Sequence, residues 1–218
     1  MIQYSCNALL FDLDGTLVDS RACIERHWAQ WAHQHEIDVD ELLEFIHGRP
    51  AAEIIRRLAP HLNAVHEAEK LTKAEAADME GVFTIEGAVE LLEMIPEDSW
   101  AIATSGTREI AENRIRHCGL PFPRLMICAD DVLSGKPAPD PYILAARGIQ
   151  VPPSECIVIE DSPAGIESAH TAGMKVVAVA STHDRFALRA AELVIEQLSD
   201  IQVVEPGYQV ESRLIIRI

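Results

Sequence analysis

The 218 residues are 48% hydrophobic and 24% charged with a formal net charge of −17, a size that buries a substantial core and a charge that argues against nucleic acid or an anionic membrane as partner. No stretch has the apolar length of a membrane span, and the start MIQYSCN lacks the basic region and long apolar run of a secretion signal. Cys6, Cys23, Cys118, Cys128 and Cys156 are odd in number and free of CxxC spacing, which argues against a disulfide framework or thiolate zinc site and for a reducing compartment, so a cytoplasmic protein is expected.

The first strong element is NALLFDLDG, an apolar run that ends in acidic residues and glycine. Such a run suits a strand buried on both faces of a parallel sheet. Residues 18–82 then show no convincing strand. They read as helices over Ser20–His35, Asp40–Ile46, Ala51–Ala59 and Val65–Glu80, with amphipathic spacing at Leu42, Leu43, Ile46 and at Ile54, Ile55, Leu58. An all-helical insert placed directly after the first strand is expected to form a separate cap. Its connections fall near Leu17–Asp19 and Phe83–Gly87, leaving 1–17 and 83–218 as the core.

Beyond residue 83, strands and helices alternate. SWAIATS (99–105), RLMICAD (124–130), ECIVIED (155–161) and MKVVAVAS (174–181) read as strands. Gly87–Ile95, Arg108–Cys118, Pro141–Arg147 and Pro163–Ala172 read as helices. The alternation predicts a doubly wound, Rossmann-like α/β sheet. Leu193–Ile195 is a further candidate strand, and the tail is compatible with a late hairpin around Pro206–Gly207.

Each polar cluster lies at the C-terminal end of a predicted strand, where open parallel sheets bind ligands. Asp12 and Asp14 are two residues apart in extended chain and so face one side, and Gly15 allows a sharp departure. A divalent cation would relieve the repulsion between two such carboxylates, although acidic turns of this kind are also common as solvated loops. Thr104-Ser105-Gly106 offers a hydroxyl and backbone N–H groups at a helix start, which serve either a phosphate or a helix cap. Lys136 sits between glycine and prolines in GKPAPDP. Asp161 follows a buried strand and reads either as a helix cap or as a third metal carboxylate.

DLDGTLVDS, the strand ending in Thr104-Ser105, GKPAPDP and IEDSPAGIESAHTAG resemble the four ordered motifs of the haloacid dehalogenase superfamily, over residues 12 to 173. The insert resembles the caps of bacterial sugar-phosphate phosphatases at Trp28-Ala29-Gln30-Trp31-Ala32 and Phe45-Ile46-His47-Gly48-Arg49. The resemblance implies a Mg²⁺-dependent phosphatase acting on a small phosphorylated molecule. It makes Asp12 the nucleophile and Asp14 the acid and base, with Thr104 and Lys136 holding phosphoryl oxygens. Asp12, the main-chain carbonyl of Asp14, and Asp161 would bind the Mg²⁺, with Glu160 behind them. Leu13, Ser105 and Gly106 would contact substrate, and Arg49, which follows Gly48 in the cap, reads either as a specificity residue reaching down to the substrate or as a solvated arginine at a helix start. A monomer is the default assembly.

Other members of the superfamily fit less well. Asp14 argues against dehalogenation, and an arginine at the Arg49 region cannot form the Schiff base of phosphonate hydrolases. The β-phosphoglucomutase branch typically carries a histidine five residues after the hinge aspartate, where Ile24 stands here. A silent sugar-phosphate-binding protein would have lost the acidic motifs. Of the lesser signals, His27, His33 and His35 lack zinc geometry, Trp28 and Trp31 read as cap core, and Asp19 and Ser20 read as hinge and helix cap.

Overall fold

The computed structural model describes residues 2–43, 46, 50–204 and 214–218. Strands β1 (Gln3–Cys6) and β2 (Ala8–Phe11) come first, followed by a short β3 (Val18–Asp19). Helices α1 (Arg21–Gln34), α2 (Val39–Leu43), α3 (Ala51–Leu58) and α4 (Ala64–Ala76) come next. After β4 (Phe83–Thr84), α5 (Ala88–Met94) leads to β5 (Trp100–Ala103), α6 (Arg108–His117) and β6 (Met126–Ile127). Then follow α7 (Asp140–Gly148), β7 (Cys156–Glu160), α8 (Pro163–Thr171), β8 (Lys175–Val179) and β9 (Leu193–Ile195). β10 (Gln202–Val204) and β11 (Leu214–Arg217) complete the set.

The main sheet has the order β6-β5-β2-β7-β8-β9, and its pairings are all parallel. Its apolar runs are continuous because both faces are covered. Leu9, Phe11, Ile102, Ile157, Ile159 and Val177 point to one face, packed with Leu91 and Leu92 of α5 and Ile115 of α6. Ala8, Leu10, Ala101, Val158 and Val176 point to the other, against Tyr142 and Ala145 of α7 and Ile166 of α8. Successive residues of a strand alternate faces, so a strand buried on both sides needs no polar partner position. From β2 the chain goes to β5 and β6 on one side, then crosses to β7 and onward on the other. The C-terminal end of β2 is therefore the switch point where doubly wound sheets leave a crevice.

Helices α1–α4 have their own core. Trp28, Trp31, Leu42, Ile46, Ile54, Ile55 and Leu71 form one apolar cluster, and the two indoles meet edge to face at 5.7 Å. The expected helix-only segment begins inside a strand, however. β3 pairs antiparallel with β4, Val18 opposite Thr84 and Asp19 opposite Phe83, so the two crossings between core and helices are zipped together. Two residues are too few to show a periodicity, which is why the ladder was not anticipated. β1 was not anticipated either; it adds to β11, which pairs antiparallel with β10. The turn expected at Pro206–Gly207 lies outside the described residues.

Candidate active site

Asp12 follows β2 directly, and its N–H donates to the Ile159 carbonyl at 3.0 Å, so the β2–β7 ladder fixes its backbone. The side chain is buried, and its Oδ1 lies 2.6 Å from Lys136 Nζ. Lys136 reaches it from the loop between β6 and α7, which also brings Nζ to 2.7 Å from Glu160 Oε1 and 4.8 Å from the centre of the Tyr142 ring. The lysine is 2% exposed: it is no solvated loop cation but the charge that separates two buried carboxylates.

Glu160, the last residue of β7, has no oxygen left over. Oε1 accepts from Lys136 and from the Tyr142 hydroxyl at 3.2 Å. Oε2 accepts from the Asp161 and Ser162 N–H groups, each at 2.8 Å, and from Ser162 Oγ at 2.9 Å. A carboxylate so occupied orders the strand end and aims the lysine. The cap of α8 falls to Ser162, whose Oγ accepts from Gly165 N at 3.1 Å, which leaves Asp161 unused as a helix cap. Asp161 instead accepts from Thr16 Oγ1 at 3.4 Å and, closely, from Thr182 Oγ1. Gly15 has φ +91°, and a Cβ there would collide with the Asp161 carboxylate, so the turn after Asp14 requires glycine on two counts.

Asp14 lies on the other side of the crevice. Its Oδ1 accepts from Ser20 Oγ at 2.7 Å and lies 2.6 Å from Nη1 of Arg114. Ser20 precedes α1, but its side chain makes no capping bond; the expected helix cap is in fact a contact to the Asp14 carboxylate. Thr104 is 2% exposed, and its Oγ1 accepts from Gly106 N at 3.0 Å. That N–H is therefore spent locally, and the cap of α6 is Thr107.

A cavity of about 250 Å³ opens over these groups. Its floor is Asp12, Asp14, Thr104, Ser105, Gly106 and Lys136; its roof is Ile24, Trp28, Ile46, Ala68 and Thr72 from the helical insert. Burial pushes the Asp12 carboxyl up, to about 8, against the pull of Lys136 and with added repulsion from Glu160. Burial likewise drives Asp161 well above the carboxylate range, with Glu160 and Asp12 adding to it. Glu160 resists its own burial and stays low because Lys136 and the Ser162 hydrogen bonds favour its anion. Oxygens of Asp12, Glu160 and Asp161 lie within 4.8 Å of one another. A buried all-oxygen set with one ammonium beside it is the chemistry of a hard divalent cation. Cys23, His27 and Asp78 also converge, but Asp78 is taken by Arg26 at 2.6 Å and by the Glu80 N–H at 2.9 Å.

The structure thus brings Asp12, Asp14, Thr104, Ser105, Gly106, Lys136, Glu160 and Asp161 to one crevice. Leu13 points into the core at 0% exposure, which leaves only its main chain for a ligand. Arg49 lies outside the described residues. Trp28 is cap core and cavity roof at once. His27 and His35 serve separate carboxylates, Asp78 and Glu67. Arg114, Glu75, Tyr142 and Thr182 were missed. The signal for Arg114 and Glu75 was readable: each interrupts the apolar row of its helix.

The family model for haloacid dehalogenase-like hydrolases matches residues 9–179. The chain belongs to that family. It is 39% identical over 205 residues to hexitol phosphatase A of Escherichia coli, covering 92% of this chain and 95% of the relative. Glycerol-1-phosphate phosphohydrolase 2 of Saccharomyces cerevisiae is 34% identical over 221 residues, covering 94% and 87%. Among solved structures, CbbY from Rhodobacter sphaeroides in complex with phosphate superposes with a TM-score of 0.75 at 26% identity, covering 89% of this chain and 96% of that one.

Proposed function

We propose that the protein is a cytoplasmic, Mg²⁺-dependent phosphatase of small phosphorylated metabolites, sugar or polyol phosphates foremost, with residues 18–82 as cap and the remainder as catalytic core. The observation that carries this reading is Asp12, buried at the switch point of the sheet with Lys136 2.6 Å away and a roofed crevice above it. Relatives that act on a hexitol phosphate and on glycerol 1-phosphate support the substrate class. A roof of cap side chains suits small molecules better than phosphoproteins.

In this reading an Asp12 oxygen attacks phosphorus as the bond to the leaving oxygen breaks, and Asp14 gives that oxygen its proton. Asp14 then takes a proton from water, which attacks the aspartyl-phosphate and returns Asp12 with release of inorganic phosphate. Lys136 and Thr104 hold phosphoryl oxygens. Asp12 and Asp161, with the Asp14 main-chain carbonyl, would hold Mg²⁺, which would supply positive charge to the transferring group. Glu160 aims Lys136. The substrate is a dianion in an acidic protein, so local donors and not the global field must receive it.

A phosphosugar mutase is the second reading, and Ile24 in the cavity roof speaks against it because no imidazole stands there. The test is a panel of sugar, polyol and glycolate phosphates assayed with Mg²⁺ and with chelator. Phosphate release that needs the metal and is abolished in Asp12→Asn is expected. Release that survives either change would overturn the reading, and isomerisation without phosphate release would establish the mutase.

A further inference from the structure

The buried face of α6 runs Ile110, Ala111, Arg114, Ile115. Arg114 stands in that apolar row at 1% exposure and is the bulkiest fully buried side chain among the described residues. A guanidinium is costly to bury unless its charge and donors are met. Here its fork is divided. Nη1 lies 2.6 Å from Asp14 Oδ1, and Nη2 donates to Glu75 Oε1 on α4 of the cap. Ser20 Oγ donates to the same Oδ1 at 2.7 Å. Among the described residues, the bonds to the Asp14 side chain thus fall on one oxygen. The other, Oδ2, lies on the side of Gly106, 3.7 Å from where a Cβ of that residue would be.

We infer that Arg114 is the positioning residue for Asp14, an inference that rests on the acid–base reading of Asp14 given above. The guanidinium pins Oδ1 and so presents Oδ2 to the reacting oxygen, and Glu75 holds the guanidinium in that pose from the cap side. A planar fork meets two carboxylates at fixed angles, which a lysine cannot do. A displacement of about 1 Å in a proton donor is enough to cost on the order of 10²-fold in rate.

The test compares two esters on the full-length enzyme. Arg114→Met keeps the length of the side chain and removes its donors. With a hexitol phosphate, whose alkoxide must be protonated as it leaves, kcat is expected to fall on the order of 10²-fold with KM little changed. With p-nitrophenyl phosphate, whose leaving group departs without a proton, a burst of nitrophenolate equal to the enzyme persists at near wild-type rate. Slow turnover follows it, because Asp14 must still activate water. Arg114→Lys restores part of the alkyl-ester rate. If Arg114→Met does not fold, Glu75→Gln carries the same comparison, with an expected fall of about tenfold on the hexitol phosphate and an intact burst. Equal loss of burst and alkyl-ester turnover would reduce Arg114 to a tie between cap and core and overturn the role proposed. Undiminished alkyl-ester turnover in Arg114→Met would overturn it too. Turnover surviving in Asp12→Asn would instead sink the phosphatase mechanism itself, so the two failures are distinguishable.

Discussion

Gly165, in the first turn of α8, and Glu160, at the end of β7, occupy one space: a Cβ on the glycine would fall on the glutamate's carboxylate. Glu160 cannot retreat, because its two oxygens are held by Lys136, Tyr142, Asp161 and Ser162. Gly165→Ala is therefore expected to destabilise the fold by about 1–3 kcal/mol, the usual cost of overpacking. It should also misplace Lys136. Thermal unfolding, with about 2–4 °C lost per kcal/mol at this chain length, and kcat measured on the same sample should fall together. An Ala variant with unchanged kcat would show that Glu160 does not aim the lysine.

Removal of Lys136 has a different signature. Lys136→Met leaves Asp12 and Glu160 buried without the ammonium between them, and breaking a buried pair in this way costs about 3–5 kcal/mol. Lys136→Arg is not expected to rescue it, since the cation sits enclosed between two carboxylates and the face of Tyr142. Denaturant unfolding of both variants measures the loss, and an Arg variant of wild-type stability would contradict the tight enclosure described.

Metal binding is expected to be visible without catalysis. Three buried carboxylates, Asp12, Glu160 and Asp161, share one neighbouring ammonium, so a divalent ion should bind the folded state and raise Tm. Saturation at about one hundred times Kd stabilises by about 2.7 kcal/mol. Asp161→Asn should abolish the Mg²⁺-dependent rise in Tm. Its persistence would place the ion elsewhere.

The pH dependence of stability should include a contribution from the end of the cap. A hydrogen bond from Arg26, aided by the Glu80 N–H and by His27, holds the Asp78 carboxyl down at about 2. A depressed folded value means that the stabilisation is complete above the ordinary 3.8 and disappears as pH falls towards about 2. The difference in Tm between wild type and Asp78→Asn should accordingly be constant above that window and shrink within it. A difference independent of acid would show that Asp78 acts by shape alone.

The fold was legible where chemistry and periodicity coincide. The runs around Leu9–Phe11, Ile157–Ile159 and Val176–Val179 are apolar at every position because helices cover both faces of the sheet. Their acidic ends then mark the crevice without further information. What was hidden depends on contacts between segments far apart in sequence. The bond from Ser20 to Asp14 replaces a local cap with a tertiary partner, and no local pattern distinguishes the two. Arg114 and Glu75 are 39 residues apart in the chain, and only their placement in apolar rows hinted that each needed a buried counter-charge. Gly106 shows the opposite error: a backbone donor that is free by pattern is satisfied by its own neighbour Thr104.

The short ladder of β3 with β4 has a mechanical consequence. Because Val18 is paired with Thr84 and Asp19 with Phe83, the two strands that lead into and out of the helical insert cannot swing independently. The insert is tied to the core along one edge by this ladder and again, across the crevice, by the Glu75–Arg114 pair. An insert tied at both places has fewer orientations to lose when a ligand is held between it and the core, so less of the binding free energy is spent on ordering the two parts.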